Sequence, residues 1–182
     1  TALILRNSGS GWLEDHPPVE TYEYQGWTWP VYHDDIPLRI EDLVDTDYGQ
    51  WSTEARVDTS FLITHGTYTQ RPRMDTPGQP DLEYEIVTVK AGFLYGLCKN
   101  DFISWAERHN KELPRENWDE YRPVDASAWG ADEVYRLYYS GEPVNQFLVC
   151  WPDRIAEVQF DWGWTVREDM MSTAALALRG GD

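Results

Sequence analysis

The chain has 182 residues, of which 41% are hydrophobic, and a formal net charge of -17. This length and apolar content exclude a disordered chain and predict one globular domain over residues 1–182. The charge argues against direct binding to nucleic acid or to an anionic membrane, and it favours a basic protein or nucleoprotein complex as partner.

The predicted location is the cytoplasm. No apolar run approaches the roughly 18 residues of a membrane helix. The short apolar stretch at residues 2–5 is too weak for a secretion signal. Cys98 and Cys150 both sit in apolar runs without a second cysteine or histidine at ligand spacing, so they are predicted to be buried, reduced thiols.

The first elements in chain order are aromatic strands and a short helix. Aromatic residues alternate over 19–32 about Gln25-Gly26, which predicts two strands or one bent strand. Ile40, Leu43 and Val44 then recur at helical spacing and predict a short amphipathic helix.

The middle of the chain predicts two strands, a loop and a helix. Residues 59–68 and 81–92 have strand-like composition, and the Pro-rich residues 71–80 predict a loop excursion between them. Residues 100–113 predict a helix that begins at a capping Asn100 or Asp101 and stops at Pro114.

The C-terminal third predicts a hairpin followed by a helix. Two strand-like runs, 145–151 and 154–162, flank the turn Pro152-Asp153 and predict antiparallel strands, of which the second alternates between apolar and polar residues. In the second strand Val158, Phe160 and Trp162 are predicted to share one face. A capping box from Thr165 to Glu168 predicts a helix that Gly180-Gly181 ends, with Met170, Ala174 and Leu178 as its core stripe.

These elements together predict an α+β fold. Its main feature is a mainly antiparallel sheet with two or three helices packed on it. The domain has an acidic N-terminal third, because residues 1–60 contain twelve acids and three bases.

Six carboxylates concentrate in residues 34–47 against the single Arg39. No metal site is predicted here, because Gly49 comes one place too early for an EF-hand loop and Arg56 occupies the position of the bidentate Glu. Three other interpretations stay open: a solvated helix face, a carboxylate pair acting on a sugar, and a binding surface for a basic partner.

The charge density favours the binding surface. On a helix, Glu41, Asp42, Asp45 and Asp47 would fall on about 10 Å of axis, since each residue rises about 1.5 Å. That density is comparable with the phosphates of duplex DNA, so the segment is a local DNA mimic. Aromatic neighbours would supply the desolvated anchors. The predicted partner-binding residues are Asp34, Asp35, Glu41, Asp42, Asp45, Asp47, Tyr48 and Trp51.

The predicted function is an acidic inhibitor that blocks a basic site on a partner. Toxin-immunity proteins, anti-CRISPR proteins and anti-restriction proteins act in this way. Under this interpretation the chain has no catalytic residues and no cofactor. A further alternative is a structural protein of a phage or mobile element, which predicts self-association.

A second alternative comes from three segments at intervals along the chain. His65-Gly66-Thr67-Tyr68, AGFLYG (91–96) and NQFLVCWPDRIAEV (145–158) resemble, in their order, motifs of the diphtheria-toxin-like ADP-ribosyltransferases. The resemblance implies NAD as cofactor, with His65 on its ribose, Tyr95 on nicotinamide and Gln146 at the position of the catalytic Glu. Because Gln146 has no carboxylate, Glu142 is the substitute acid.

Overall fold

The structure is a computed structural model that describes residues 20–24, 27–31, 36–44, 51–72, 81–110, 114 and 118–180. Within these ranges the chain forms nine strands, two α-helices and three short 3-10 turns. The strands are β1 (Glu20–Tyr24), β2 (Trp27–Val31), β3 (Trp51–Thr59), β4 (Ile63–Pro72), β5 (Leu82–Val89), β6 (Glu120–Val124), β7 (Glu133–Tyr139), β8 (Glu142–Trp151) and β9 (Arg154–Phe160). The helices are α1 (Tyr95–His109) and α2 (Glu168–Arg179).

Two antiparallel sheets account for these strands. β1 and β2 form a two-stranded hairpin, so the aromatic N-terminal run makes two strands. The other seven strands form one sheet in the order β3-β4-β5-β9-β8-β7-β6, with every neighbouring pair antiparallel. The prediction of a mainly antiparallel sheet accompanied by helices is confirmed at this level.

One face of the large sheet carries the main core. Alternate side chains of the central strands, such as Tyr84, Phe147 and Val158, are buried there. The stripe of α2 packs against them, and Met170 and Leu178 are almost fully buried, as the sequence predicts. Residues 36–44 cover the same face beside β4 and β5.

The opposite face is divided between an apolar and a polar half. Cys98 and Phe102 of α1 pack against Leu148 and Ile155, so α1 covers the part of the sheet around β8 and β9. Beyond α1, partly buried positions of β4, β5 and β9 are polar. We call this region the polar face, and it comprises His65, Thr67, Thr69, Glu83, Glu85, Glu157 and Gln159.

The strand predictions need three corrections. Residues 59–68 contain a turn at Ser60, whose hydroxyl accepts the Ile63 N–H, so this segment belongs to two strands. β4 continues to Pro72, so residues 71–72 are strand, and 73–80 lie outside the described residues. β9 stops at Phe160, because the Asp161 carboxylate accepts the Gly163 N–H and turns the chain, and Trp162 is exposed.

Both predicted helix starts are wrong. α1 begins at Tyr95, since the apolar contacts of Tyr95 and Cys98 with the sheet extend the helix before Asn100 and Asp101. α2 begins at Glu168 with Arg167 as the N-cap, which makes no side-chain cap. Gly180 ends α2 with a φ of 80°, as predicted.

The two cysteines are thiols without a disulfide. Cys150 is buried, as predicted, whereas Cys98 is only partly buried on the sheet-facing side of α1. Burial raises the pKa of the Cys150 thiol to about 11, so this sulfur stays protonated at neutral pH.

Candidate functional site

The predicted acidic helix is shorter than the sequence indicates. A 3-10 turn spans Ile40–Asp42 and has Leu43 as its C-cap. Ile40 and Leu43 are buried, and Glu41 and Asp42 are exposed. In the described residues 36–44, a 3-10 turn therefore replaces the amphipathic helix that the spacing of Ile40, Leu43 and Val44 predicts, and the charge spacing of an α-helix does not apply to Glu41 and Asp42.

Hydrogen bonds from the sheet explain why this segment is not a longer helix. Gln70 accepts the Ile40 N–H at 3.0 Å and donates to the Leu38 carbonyl at 2.5 Å. The Tyr84 hydroxyl also donates to that carbonyl, at 3.0 Å. These contacts hold the backbone extended ahead of Ile40, because groups that a helix would pair internally are bound to β4 and β5.

Most of the predicted partner-binding residues cannot be placed. Asp34, Asp35, Asp45, Asp47 and Tyr48 lie outside the described residues. Trp51 begins β3, and its side chain is not among those described. Whether these residues share a surface with Glu41 and Asp42 stays a prediction.

A different group of titratable side chains meets on the polar face. Glu85 on β5 stands directly opposite Glu157 on β9, and opposite Thr67 on β4. Directly opposed side chains in an antiparallel pair have Cβ atoms about 5 Å apart. His65 Nε2 lies 2.5 Å from Glu85 Oε1. The register therefore brings two carboxylates and an imidazole together, although their residues are far apart in sequence.

Tyr121 on β6 and Gln146 on β8 extend this group across the strands that follow β9 in the sheet. The Tyr121 hydroxyl donates to Glu157 Oε1, and Gln146 Nε2 donates to the Tyr121 hydroxyl at 3.1 Å. Tyr121 lies on β6, three strands from β9, which in a flat sheet is about 14 Å. The two long side chains bridge this separation, so groups from distant strands meet on this face.

Burial changes the acidity of the two groups in this hydrogen bond. It is the main cause that raises the pKa of Glu157, and the negative charge of Glu85 adds to it. The hydrogen bond from Tyr121 works in the opposite direction. Burial and the neighbouring Glu157 also raise the pKa of the Tyr121 hydroxyl, which stays protonated. The pKa of Glu157 is therefore higher than that of an ordinary glutamate.

A small open hollow lies beside this carboxylate pair. Its volume is about 150 Å³, and its polar lining includes Thr67, Thr69, Glu83, Glu85 and Glu157. That is below the ~300–1,000 Å³ of sites for small organic ligands. A hollow of this size suits the end of one side chain. Among the described residues, no cluster of three or more His, Cys, Asp or Glu has the geometry of a metal site.

The residues of the NAD resemblance are only partly brought together. His65 and Gln146 both reach the polar group, His65 through Glu85 and Gln146 through Tyr121. Tyr95 instead lies near Cys150 on β8. In the sheet β8 is three strands away from β4, which carries His65. Glu142 is an exposed residue at the start of β8.

Gly66 of the HGTY segment has a structural role. A Cβ at this position would lie 2.7 Å from the Tyr68 hydroxyl oxygen and 2.8 Å from Cε2 of its ring. Tyr68 is buried and stacks on Tyr84 at 4.7 Å, so its ring has little space to move aside. Glycine at this position is therefore explained by close packing.

The sequence did not single out Glu85, Tyr121 or Glu157. Glu157 alternates with the apolar residues Val158 and Phe160, but the sequence does not indicate which strand lies beside it. The pairing of β5 with β9 supplies that information, and it joins residues 72 positions apart. Tyr121 gave no local signal at all.

Comparison with known proteins identifies no relative of this chain. No protein-family model matches it, and neither does any of the curated proteins or solved structures searched. In the described part of the chain, the helices are too short or too polar to cross a membrane.

Proposed function

We propose that this chain is an acidic binding protein that captures a basic side chain of a partner and blocks the partner's basic site. The observation that carries the proposal is the pair Glu85 and Glu157, opposed across two strands beside an open hollow. An inhibitor of the immunity-protein, anti-CRISPR or anti-restriction type is the functional class that we infer.

The carboxylate pair has a physical reason to bind a cation. Two like charges directly opposite each other destabilise a sheet, and burial disfavours the ionised form of Glu157. A lysine ammonium or an arginine guanidinium placed in the hollow would neutralise this repulsion. It would also favour ionised Glu157, so binding would lower the pKa of Glu157.

The net charge of -17 supports the same proposal at longer range. A strongly negative protein attracts a basic partner before contact, which raises the association rate. The exposed Glu41 and Asp42 contribute to this field from the opposite face of the sheet, since their segment is bound to Gln70 and Tyr84. The two acidic surfaces can therefore be tested separately.

Capture from a lysate of the native host, followed by mass spectrometry, tests the proposal. The immobilised chain is compared with a Glu85→Gln/Glu157→Gln variant and with a Glu41→Lys/Asp42→Lys variant. A Glu120→Gln/Glu168→Gln variant is the control, because it removes two exposed carboxylates elsewhere. We expect a basic partner that is lost with Glu85→Gln/Glu157→Gln and kept with the control.

The outcomes separate the site from the function. If only Glu41→Lys/Asp42→Lys loses the partner, the predicted N-terminal surface is the binding site and the polar face is not. If all variants retain the partner equally, neither surface binds it. Capture of no basic protein by the unmodified chain contradicts the proposed function itself.

We propose an enzyme that acts on NAD as the second candidate. It is favoured by one observation, namely that His65, Gln146 and the partly buried Glu157 belong to one connected group. Glu157 would then provide the carboxylate that Gln146 lacks. Labelled NAD incubated with the chain should be consumed, and His65→Ala and Glu157→Gln should each abolish turnover. Absence of turnover in the unmodified chain would exclude this candidate.

A further inference from the structure

A second cavity lies where the β7–β8 turn meets the loop that follows β9. It has a volume of about 430 Å³, within the ~300–1,000 Å³ of small-ligand sites. We call it the aromatic socket, and the side chains that define it are Tyr139, Glu142, Trp162 and Trp164. It shares no lining residue with the hollow beside Glu157.

The first wall of the aromatic socket is a tight hairpin turn. Tyr139 pairs with Glu142, and the two residues between them, Ser140 and Gly141, have φ values of 49° and 84°. Positive φ at both positions is the geometry of the two-residue turn that matches the twist of a hairpin. The Ser140 N–H also donates to the buried Asp119 at 3.4 Å. The positions of Tyr139 and Glu142 are therefore fixed by the backbone.

The second wall is a loop held by Asn145. The Asn145 side-chain amide donates to the Asp161 carbonyl at 3.0 Å and to the Trp164 carbonyl at 2.8 Å. The ring of Trp164 packs on Phe160, with centroids 6.2 Å apart, and Phe160 is fully buried. These contacts anchor both ends of the short segment that carries Trp162, so the socket is formed before any ligand binds.

Two large aromatic side chains are nevertheless left open to solvent. Tyr139 is 57% exposed and Trp162 is 64% exposed. Exposed tyrosine and tryptophan in an ordered cavity are typical of binding sites, because they bury a large area at little cost in conformational entropy. The fixed walls and the exposed rings together indicate a site for a ligand.

The charged groups at the aromatic socket indicate the class of ligand that it would bind. Of its lining residues in the described part of the chain, Glu142 is the charged one. Arg136 contacts two lining residues but is held by other groups, since it donates to the Val144 carbonyl at 2.7 Å and to Asn145 Oδ1 at 3.3 Å and lies over the Phe147 ring. Faces of tryptophan and tyrosine rings attract cations, and a carboxylate beside them strengthens this preference.

We propose that the aromatic socket binds an organic cation, namely an alkylammonium or guanidinium group that contacts Tyr139 and Trp162 and pairs with Glu142. The cation has two sources, a lysine or arginine side chain of a protein or a free quaternary ammonium compound. The inference goes beyond the proposed function, because it stands even if no basic partner occupies the polar face.

NMR titration of the folded chain tests the proposal. The indole N–H signal of Trp162 is assigned by its loss in Trp162→Phe, and it is followed as four probes are added. The probes are choline, N-acetyl-lysine methylamide, N-acetyl-arginine methylamide and 3,3-dimethylbutanol, the uncharged analogue of choline. We expect saturable shifts with cations and none with 3,3-dimethylbutanol at the same concentration. The cation that binds most tightly identifies the source, a lysine or arginine side chain or a free quaternary ammonium compound.

Two variants and two controls complete the experiment. Trp162→Ala should weaken binding of the tightest-binding cation by about tenfold, as expected for loss of a cation–π contact. In this variant the shifts are followed on the Tyr139 ring. Glu142→Gln should weaken binding of the same cation by about threefold to tenfold, as expected for loss of one charged partner. Phe61→Ala removes another exposed aromatic ring and Glu168→Gln another exposed carboxylate, and neither should change binding.

Three results would overturn the proposal. Equal binding of choline and 3,3-dimethylbutanol would show that charge is irrelevant. Binding of maltose or chitobiose in place of the cations would make the socket a sugar site. Unshifted Trp162 signals with all probes at high millimolar concentration would show that the socket binds no organic cation.

Discussion

At the scale of single residues, Glu157 is the most informative side chain. Its side chain is partly buried, and the Tyr121 hydroxyl donates a hydrogen bond to it. Desolvation and the negative charge of the opposed Glu85 favour its protonated form. Because its pKa is raised in the folded state, folding takes up a proton in the pH range between the unfolded and the folded pKa. A carboxyl with a raised pKa next to an open hollow is typical of functional sites.

The raised pKa predicts a pH-dependent effect of Glu157→Gln on stability. Glutamine mimics the protonated acid and can still accept the Tyr121 hydrogen bond. Below the unfolded pKa of about 4.3 both side chains are neutral, so the variant and the unmodified chain should unfold alike. As pH rises through the folded pKa, the unmodified chain loses about 1.4 kcal/mol of unfolding free energy per unit of pKa shift. The variant does not lose this stability, because its glutamine does not ionise.

Urea unfolding at pH 4 and at pH 8 measures this difference. Exposed Glu168→Gln is the control for loss of a charge. If Glu157→Gln destabilises the chain at pH 8 more than at pH 4, the direction of the pKa shift is wrong.

At the scale of elements, local patterns and long-range pairing contribute differently. The β8–β9 hairpin was predictable because Pro152-Asp153 separates a continuous apolar run from an alternating one. The stripe of α2 was predictable because Met170, Ala174 and Leu178 repeat at helical spacing. The pairing of β5 with β9 was not, since no local feature specifies a partner strand so distant in the chain. The candidate site depends on this pairing, so it could not be predicted from the sequence.

The segment 36–44 shows how tertiary contacts override a local pattern. Its apolar spacing suggested a helix, but Gln70 binds Ile40 and Leu38 and leaves only a 3-10 turn. Gln70 itself is buried, with 1% of its surface exposed. The amide of Gln70 therefore determines the path of this segment across the core.

Gln70→Leu should detach this segment. The change leaves the Ile40 N–H without its partner, which costs about 1–3 kcal/mol when the group stays buried. We expect faster hydrogen exchange at the Ile40 amide and a lower urea midpoint. Gln159→Leu, the same change on the polar face, should leave the Ile40 exchange rate unaltered. Unchanged exchange in Gln70→Leu would show that the hydrogen bond does not hold the segment.

At the scale of the whole molecule, the proposed function depends on the net charge of -17 and on the strand order of the sheet. Under this proposal the charge would attract a basic partner from a distance, whereas strand pairing and the Tyr121–Glu157 hydrogen bond bring Glu85, Glu157 and Tyr121 together. Charge alone provides rate without specificity. The hollow would then be the position at which one cation is recognised.

Long-range attraction predicts a strong salt dependence of association. Raising salt from about 0.01 M to about 1 M shortens the screening length from about 30 Å to about 3 Å. The association rate with the captured partner should fall by at least about tenfold, while dissociation should change less. Stopped-flow or surface-binding kinetics would measure both rates. An association rate independent of salt would contradict electrostatic attraction.

The ionisation of Glu157 in the complex is the most direct measurement of cation capture at the polar face. Carbon-13 NMR of the glutamate carboxyls, with Glu157 assigned through Glu157→Gln, gives its titration with and without the captured partner. We predict that the partner lowers the pKa of Glu157 and leaves it ionised, because a cation then lies between Glu157 and Glu85. An identical titration of Glu157 in the free chain and in the complex would contradict this mechanism.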